Sequence, residues 1–278
     1  MKILVFSQYF YPEDFRINSI CEELVNRGNE VTVVTGLPNY PNGYIFAGYE
    51  KAYKKEQNHN GIKIIRCKIR PRKKGLFNLA LNYLSYSYRA YKTAKKIEGD
   101  FDVIYGYQLS PVLSMIPAVK YKKRFHKPFY MYVCDLWPES LREVNGKILK
   151  KTNPVYRFFL KKSRNIYKEA DLIGTKCDEF IDYLVKTCCV DRKKCYVNYE
   201  HAESNYLSVS KKPLDNGIVD FVFLGNIGIA SNCDVIVEAA KFLSGNNYLI
   251  HFVGAGSSLD NIKKLVLKYG LGKTNSFS

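Results

Sequence analysis

The sequence has no apolar run near the roughly 18 residues needed to span a bilayer; its longest apolar stretches are strand-sized. The N-terminal MKILVFSQ is too short for a signal peptide and lacks a small-residue cleavage site, so the expectation is a chain that stays in the cytoplasm. The eight cysteines (21, 67, 134, 177, 188, 189, 195, 233) include no C-x-x-C pair, and in a reducing compartment they read as buried thiols. Cys188, Cys189, Cys195 and His201 fit no common zinc spacing, so no metal is expected. The first strand–helix turn lacks G-x-G-x-x-G, which argues against an NAD or FAD enzyme, and no cofactor is expected. There are no tandem repeats and no low-complexity segments. Acidic residues are few, 26 against 43 Lys and Arg, giving a net charge of +17.

That charge is clustered at Arg70-Pro-Arg72-Lys73-Lys74, Lys120 to Lys127, Lys147 to Lys151, Lys161-Lys162-Ser-Arg164 and Arg192-Lys193-Lys194. Such a surface attracts polyanions. Without a basic helix, helix-turn-helix or zinc motif, nucleic acid is not an expected partner. The stretch Leu76–Tyr91 (LFNLALNYLSYSYRAY) follows the first cluster, and tyrosine-rich apolar surface beside Lys and Arg suits an anionic membrane interface. Tyr83, Tyr86 and Tyr91 either face that interface or pack inward.

The hydrophobic pattern alternates strands and helices. Lys2–Ser7, Glu30–Thr35, Ile62–Cys67, Asp102–Tyr105, Phe129–Val133 and Asp171–Thr175 read as buried strands, separated by helical periodicity at Phe15–Arg27, Leu76–Lys96, Val112–Phe125 and Pro154–Ala170. This predicts a Rossmann-like, doubly wound parallel sheet over residues 1–203. Ser204–Gly217 reads as a linker, and the pattern restarts over 218–278 with strands at Val219–Leu224 and Tyr248–Val253, each followed by a glycine-bearing turn and a helix. These 61 residues are too few for a doubly wound domain of roughly 100 or more, so the second domain is expected to be incomplete. The closing LGKTNSFS departs from the strand expected there.

In such sheets ligands bind beyond the carboxyl ends of the strands. Asp135 follows the fifth strand at that edge, in YMYVCDLWPES, with the single Trp137 and a second carboxylate, Glu139, beside it. Asp135 is either a site residue or a helix cap, and Trp137 either a ligand contact or a core plug. The long Gly36–Tyr49 loop lies at the same edge, where loops of this length are usually functional. Backbone N–H groups at Gly225, Asn226 and Gly228, and at Gly254 and Gly256, either form phosphate sites or serve plain tight turns.

Taken together, KILVFSQYFYPEDFRI, RGNEVTVVTGLPNYPNGYIFAGY, DVIYGYQLSP, DLWPES and FLGNIGIASNCDVIVEAA resemble the glycosyltransferase family 4 proteins of bacterial surface-polysaccharide synthesis, especially the fucosamine and colanic-acid type transferases of O-antigen and capsule pathways. The resemblance implies a GT-B-like fold: the N-terminal Rossmann-like domain plus the beginning of a second one. It implies a retaining glycosyl transfer from a nucleotide-sugar donor to a lipid-diphosphate-linked saccharide acceptor, by a protein peripheral on the cytosolic face of the inner membrane. In that frame Asp135 orients or deprotonates the acceptor hydroxyl, with Glu139 as its alternate. Gly225, Asn226 and Gly228 receive the donor diphosphate with Arg16 in support, and Gly254 and Gly256 approach the nucleotide. Pro12, Glu13, Asn39, Tyr40, Gly43 and Trp137 shape the acceptor side. The family's C-terminal pair of glutamates eight positions apart has no counterpart before Ser278, and GNIGIASN carries none of the Arg and Lys that many relatives place there. The competing expectation is a non-catalytic remnant that binds acceptor or anionic membrane.

Overall fold

The structure, a computed structural model, describes residues 1–73, 75–97, 100–142, 150–202, 204–208, 217–243 and 247–277. The chain divides into two compact units, one over Met1–Leu141 and Leu149–Glu203, the other including Ser204–Ser278. Most of the expected linker, 209–216, lies outside the described residues, as does Lys147 of the third basic cluster.

The first unit is built on eight strands: β1 (Lys2–Phe6), β2 (Glu30–Gly36), β3 (Gln57–His59), β4 (Ile62–Cys67), β5 (Val103–Gln108), β6 (Phe129–Val133), β7 (Leu172–Thr175) and β8 (Cys195–Val197). Their order is β3-β4-β2-β1-β5-β6-β7-β8, parallel throughout except for β3. Leu4 sits opposite both Thr32 and Ile104, so β1 lies at the centre. Its side chains alternate between two layers. Ile3 and Val5 pack with Ile17 and Cys21 of α1 (Ile17–Asn26). Leu4 and Phe6 pack with Tyr86 and Ala90 of α2 (Leu76–Ala94), and with Ala118 of α3 (Ile116–Phe125). Both sheet faces are covered, which is why these strands read as unbroken apolar runs. Each such Leu, Ile or Phe contributes about 1.5–3 kcal/mol on burial. Gly174 in β7 is dictated by this packing: a Cβ there would lie 2.1 Å from the Tyr130 hydroxyl.

The helix termini follow local chemistry. In α5 (Pro154–Lys168) the Asn153 side chain accepts the Val155 N–H at 2.8 Å and Pro154 opens the first turn. The short α4 (Glu139–Arg142) precedes it, and α6 (Asp178–Lys186) carries Asp178 and Glu179 where the helix dipole favours them. The α2 tyrosines divide between the two expected orientations. Tyr86 is fully buried and donates to the Val34 carbonyl at 3.2 Å, Tyr83 and Tyr91 are half-buried, and Phe77, Leu84 and Tyr88 face outward.

The hairpin β3–β4 was not part of the sequence expectation. It turns on Asn60 and Gly61, both at positive φ, the two-residue turn that matches strand twist.

The second unit has three parallel strands, β9 (Val219–Leu224), β10 (Tyr248–Val253) and β11 (Asn275–Phe277), ordered β11-β10-β9. Helices α7 (Cys233–Ala240) and α8 (Leu259–Lys268) pack on them through Val237, Ile262 and Val266. The expectation that the final residues depart from a strand is corrected: Ile250 to Phe252 pair with Asn275 to Phe277. Phe277 stacks on Phe252 at 5.3 Å, while Asn275 bonds back to the Leu271 carbonyl, so a polar-looking segment adds a third strand to the sheet. Among the described residues no helix is long and apolar enough to cross a membrane.

Candidate functional site

The chain order of the sheet reverses between β1 and β5, and this switch point is where open α/β sheets form their crevice. Four loops meet there: Ser7–Glu13 after β1, Leu37–Gly43 after β2, Leu109–Ser110 after β5 and Cys134–Trp137 after β6. The peptide bonds preceding Pro12, Pro41, Pro111 and Pro138 in this region are all cis.

Asp135 is fixed by its neighbour across the sheet edge. Its Oδ2 accepts the Ser110 backbone N–H at 3.0 Å and the Ser110 hydroxyl at 2.8 Å. No hydrogen bond reaches Oδ1 among the described residues, and the side chain is half-buried. The Ser110 oxygen in turn accepts the Trp137 indole N–H at 3.0 Å. Trp137 itself is 4% exposed, edge-on to Phe159 at 5.6 Å. Of the two roles open to Trp137, the structure assigns the core plug: it orients Ser110 and offers no exposed face to a ligand. Glu139 stands apart. Its Oε1 accepts the Tyr156 hydroxyl at 2.6 Å and lies 3.8 Å from Lys151, with no hydrogen bond to Asp135.

Glu13, Asn39, Tyr40 and Gly43 come together as one network. Glu13 is 2% exposed, and its Oε1 accepts the backbone N–H groups of Asn39 (2.8 Å) and Tyr40 (2.7 Å). Its Oε2 is buried without a partner. Burial pushes the carboxyl up to about 7; the hydrogen bonds from the loop and the nearby Arg66 charge pull the other way without offsetting it. Asn39, fully buried, accepts the Arg72 backbone N–H at 2.9 Å, while its own carbonyl takes the Gly43 N–H. Gly43 has φ +81°, and a Cβ there would lie 3.0 Å from the Lys73 backbone. Pro12 is half-buried at the rim.

Several site residues escaped the sequence reading. Asn82 of α2 bonds the Gln8 side-chain amide at 2.9 Å and the Arg70 carbonyl at 2.6 Å. Arg66 is 3% exposed and donates to Gln57 and to the Gly36 and Tyr11 carbonyls. A charge inside the apolar IKIIRC strand was the available signal for Arg66. Ser110 could be found only by knowing that β5 and β6 are neighbours.

Arg16, expected at a diphosphate, pairs instead with Glu200 at 3.3 Å and donates to the His201 carbonyl. In the second unit, the Gly225 N–H bonds the Val253 carbonyl at 3.0 Å and the Gly228 N–H the Ser231 hydroxyl at 2.9 Å. Two of the three N–H groups expected to receive a diphosphate are therefore already engaged, leaving Asn226. Gly254 and Gly256 are required by backbone contact, since a Cβ on either would fall within 2.0 or 2.2 Å of the Gly225 or Ile227 carbonyl oxygen. Among the described residues no three His, Cys, Asp or Glu side chains converge as a metal site.

No family model matches the chain. It is 24% identical over 200 residues to the probable glycosyltransferase WbjE of Pseudomonas aeruginosa, a match covering 68% of this chain and 48% of that protein. The chain thus spans about half the length of the curated relative it matches. A glycosyltransferase from Rickettsia africae superposes with a TM-score of 0.61 at 13% identity, covering 100% of this chain and 67% of the other. The lipopolysaccharide outer core galactosyltransferase WaaB gives 0.57 at 12%, with coverage of 100% and 67%. The fold is α/β and GT-B-like, and the chain is similar in sequence and fold to glycosyltransferases.

Proposed function

We propose that this chain acts in glycosyl transfer, moving a sugar from a nucleotide-sugar donor to a lipid-diphosphate-linked saccharide acceptor in bacterial surface-polysaccharide synthesis. The observation that carries the reading is Asp135 at the switch point, clamped through Oδ2 by Ser110 with Oδ1 left for a ligand hydroxyl. The acceptor O–H donates to Oδ1 and its proton passes to Asp135 as the oxygen bonds the donor's anomeric carbon. The bond from that carbon to the diphosphate breaks, and the nucleoside diphosphate leaves with the electron pair. A positioned base of this kind contributes about 10²–10⁴-fold. The buried Glu13–Asn39–Tyr40 network holds the loop that walls the acceptor side. Donor binding is assigned to the glycine turns of the second unit, with the Asn226 N–H as phosphate donor. Retention of configuration, which follows only from the family resemblance, requires the acceptor oxygen to enter on the face of the sugar that the diphosphate leaves, since in-line entry from the opposite face would invert the carbon.

The acceptor's lipid calls for a membrane face. On α2, Phe77 is 76% exposed, Leu84 53% and Tyr88 54%, at spacings that align them on one side of the helix, with Arg89 and Lys92 adjoining. We assign this ridge to an anionic leaflet. The reading is tested by incubating the chain with labelled UDP-, GDP- and dTDP-sugars and a short-chain lipid-diphospho-sugar. Acceptor-dependent release of nucleoside diphosphate is expected, and a folded protein that releases none with any donor would refute it.

A further inference from the structure

The basic segment after β4 places one cation inside the site, and it does so with unusual rigidity for a surface arginine. Its backbone is fastened on both sides: the Arg70 N–H donates to the Ser85 hydroxyl at 2.9 Å, the Arg70 carbonyl accepts from Asn82 at 2.6 Å, and the Arg72 N–H donates to Asn39 at 2.9 Å. The Arg72 guanidinium lies 5.3 Å over the Tyr40 ring. The Tyr40 ring packs 5.7 Å from that of Tyr9, whose hydroxyl accepts from the Gln8 amide at 3.4 Å and whose ring stacks on Phe15 at 5.1 Å. Among the described residues no carboxylate forms an ion pair with Arg72. The nearest acid of the network, Glu13, is turned to the loop N–H groups. In the adjoining network two buried side-chain oxygens, Gln8 Oε1 and Glu13 Oε2, have no protein partner.

A guanidinium stacked on one ring keeps its donors for a planar, bidentate acceptor. A lone charge of this kind, partly withdrawn from water, binds phosphate oxygens more strongly than an exposed lysine does. We propose that Arg72, stacked on Tyr40, forms an anion subsite that takes the phosphate of a glycosyl phosphate or diphosphate. The inference rests on the glycosyl-transfer reading for the identity of that ligand, though not for the subsite itself.

Calorimetric titration of the full chain separates the alternatives, using inorganic pyrophosphate, a short-chain alkyl diphospho-hexosamine and the neutral alkyl hexosaminide. The diphospho-hexosamine is expected to bind tightest. R72Q should weaken it by about tenfold or more, as for loss of a charged hydrogen bond, R72K should give an intermediate loss, and R27Q, an equal change in net charge at the exposed end of α1, should change it less than about twofold. Circular dichroism of each variant confirms that the fold is kept. An R72Q effect no larger than that of R27Q, or equal binding of the neutral hexosaminide, would overturn the subsite. Equal binding of pyrophosphate and the diphospho-hexosamine would overturn its assignment to a sugar phosphate. Binding that responds to Arg72 without any sugar transfer would instead count against the transferase reading, leaving the subsite standing.

Discussion

Replacing Glu13 by Gln isolates the electrostatics of the buried network, because shape and most hydrogen-bonding capacity are kept. The Gln oxygen can accept the Asn39 and Tyr40 N–H groups as Glu13 Oε1 does, and in neither form does the second terminal atom have a protein partner. What changes is ionisation. The folded-state value of about 7 against an ordinary 4.5 means that the folded protein holds this proton more tightly than the unfolded chain. Between pH 4.5 and 7 the unfolded state releases the proton while the folded state keeps it. Stability from this group is therefore complete below 4.5, falls through the window and levels off above 7. At about 1.4 kcal/mol per pH unit, a shift of that size amounts to about 3 kcal/mol. Glu13→Gln lacks this dependence. The two proteins should differ by less than about 1 kcal/mol at pH 4.5, and the variant should be more stable by about 3 kcal/mol at pH 8, or roughly 6–10 °C in melting temperature. Thermal melts of both proteins across that range test it. A difference that does not grow with pH would refute the claim that burial dominates the Glu13 carboxyl.

Other perturbations probe separate parts of the molecule. Leu84→Glu on the exposed α2 ridge should weaken binding to anionic vesicles by about tenfold or more, since one apolar side chain contributes about 1.5–3 kcal/mol; unchanged co-sedimentation would remove α2 from the membrane face. Gly254→Ala should destabilise the second unit by about 3 kcal/mol or more, because the new methyl meets the Gly225 carbonyl. Faster hydrogen exchange across Val219–Leu224 and Tyr248–Val253 is the expected readout, and unchanged protection would show that the turns can separate.

Much of the architecture was legible because the first unit obeys one rule: covered parallel strands read as apolar runs, and their helices bury one stripe. Strand β1 and helix α1 follow from that alone. The hairpin at Asn60-Gly61 was written in the sequence as a turn signal but carried too little hydrophobic alternation, in Gln57–His59, to stand out. β11 was hidden for a related reason, since only Phe277 of its three residues packs against a neighbouring ring. The candidate site was legible in part. Asp135 lies beyond its strand at the sheet edge as expected, and Glu13, Asn39, Tyr40 and Gly43 form a single network. Ser110 and Arg72 were not singled out. Their roles depend on which strands are neighbours and on long-range bonds to Asp135 and Asn39, which no local pattern encodes. Trp137 shows the converse: its prominence in the motif reflects packing behind Ser110 rather than contact with a ligand. Likewise Gly225 and Gly228 looked like phosphate donors, but the Gly225 N–H bonds across to the Val253 carbonyl of β10 and the Gly228 N–H to Ser231 within its own turn.

The most direct test of the central claim compares Asp135→Asn with Glu139→Gln in acceptor-dependent sugar transfer under saturating donor. The Asp135 variant keeps the Ser110 contacts but loses the base. Its kcat should fall by about 10²-fold or more with acceptor KM little changed, while Glu139→Gln, bonded to Tyr156, should stay within about tenfold of the unaltered protein. Equal and modest losses in both variants, or full activity without the Asp135 carboxylate, would contradict the account.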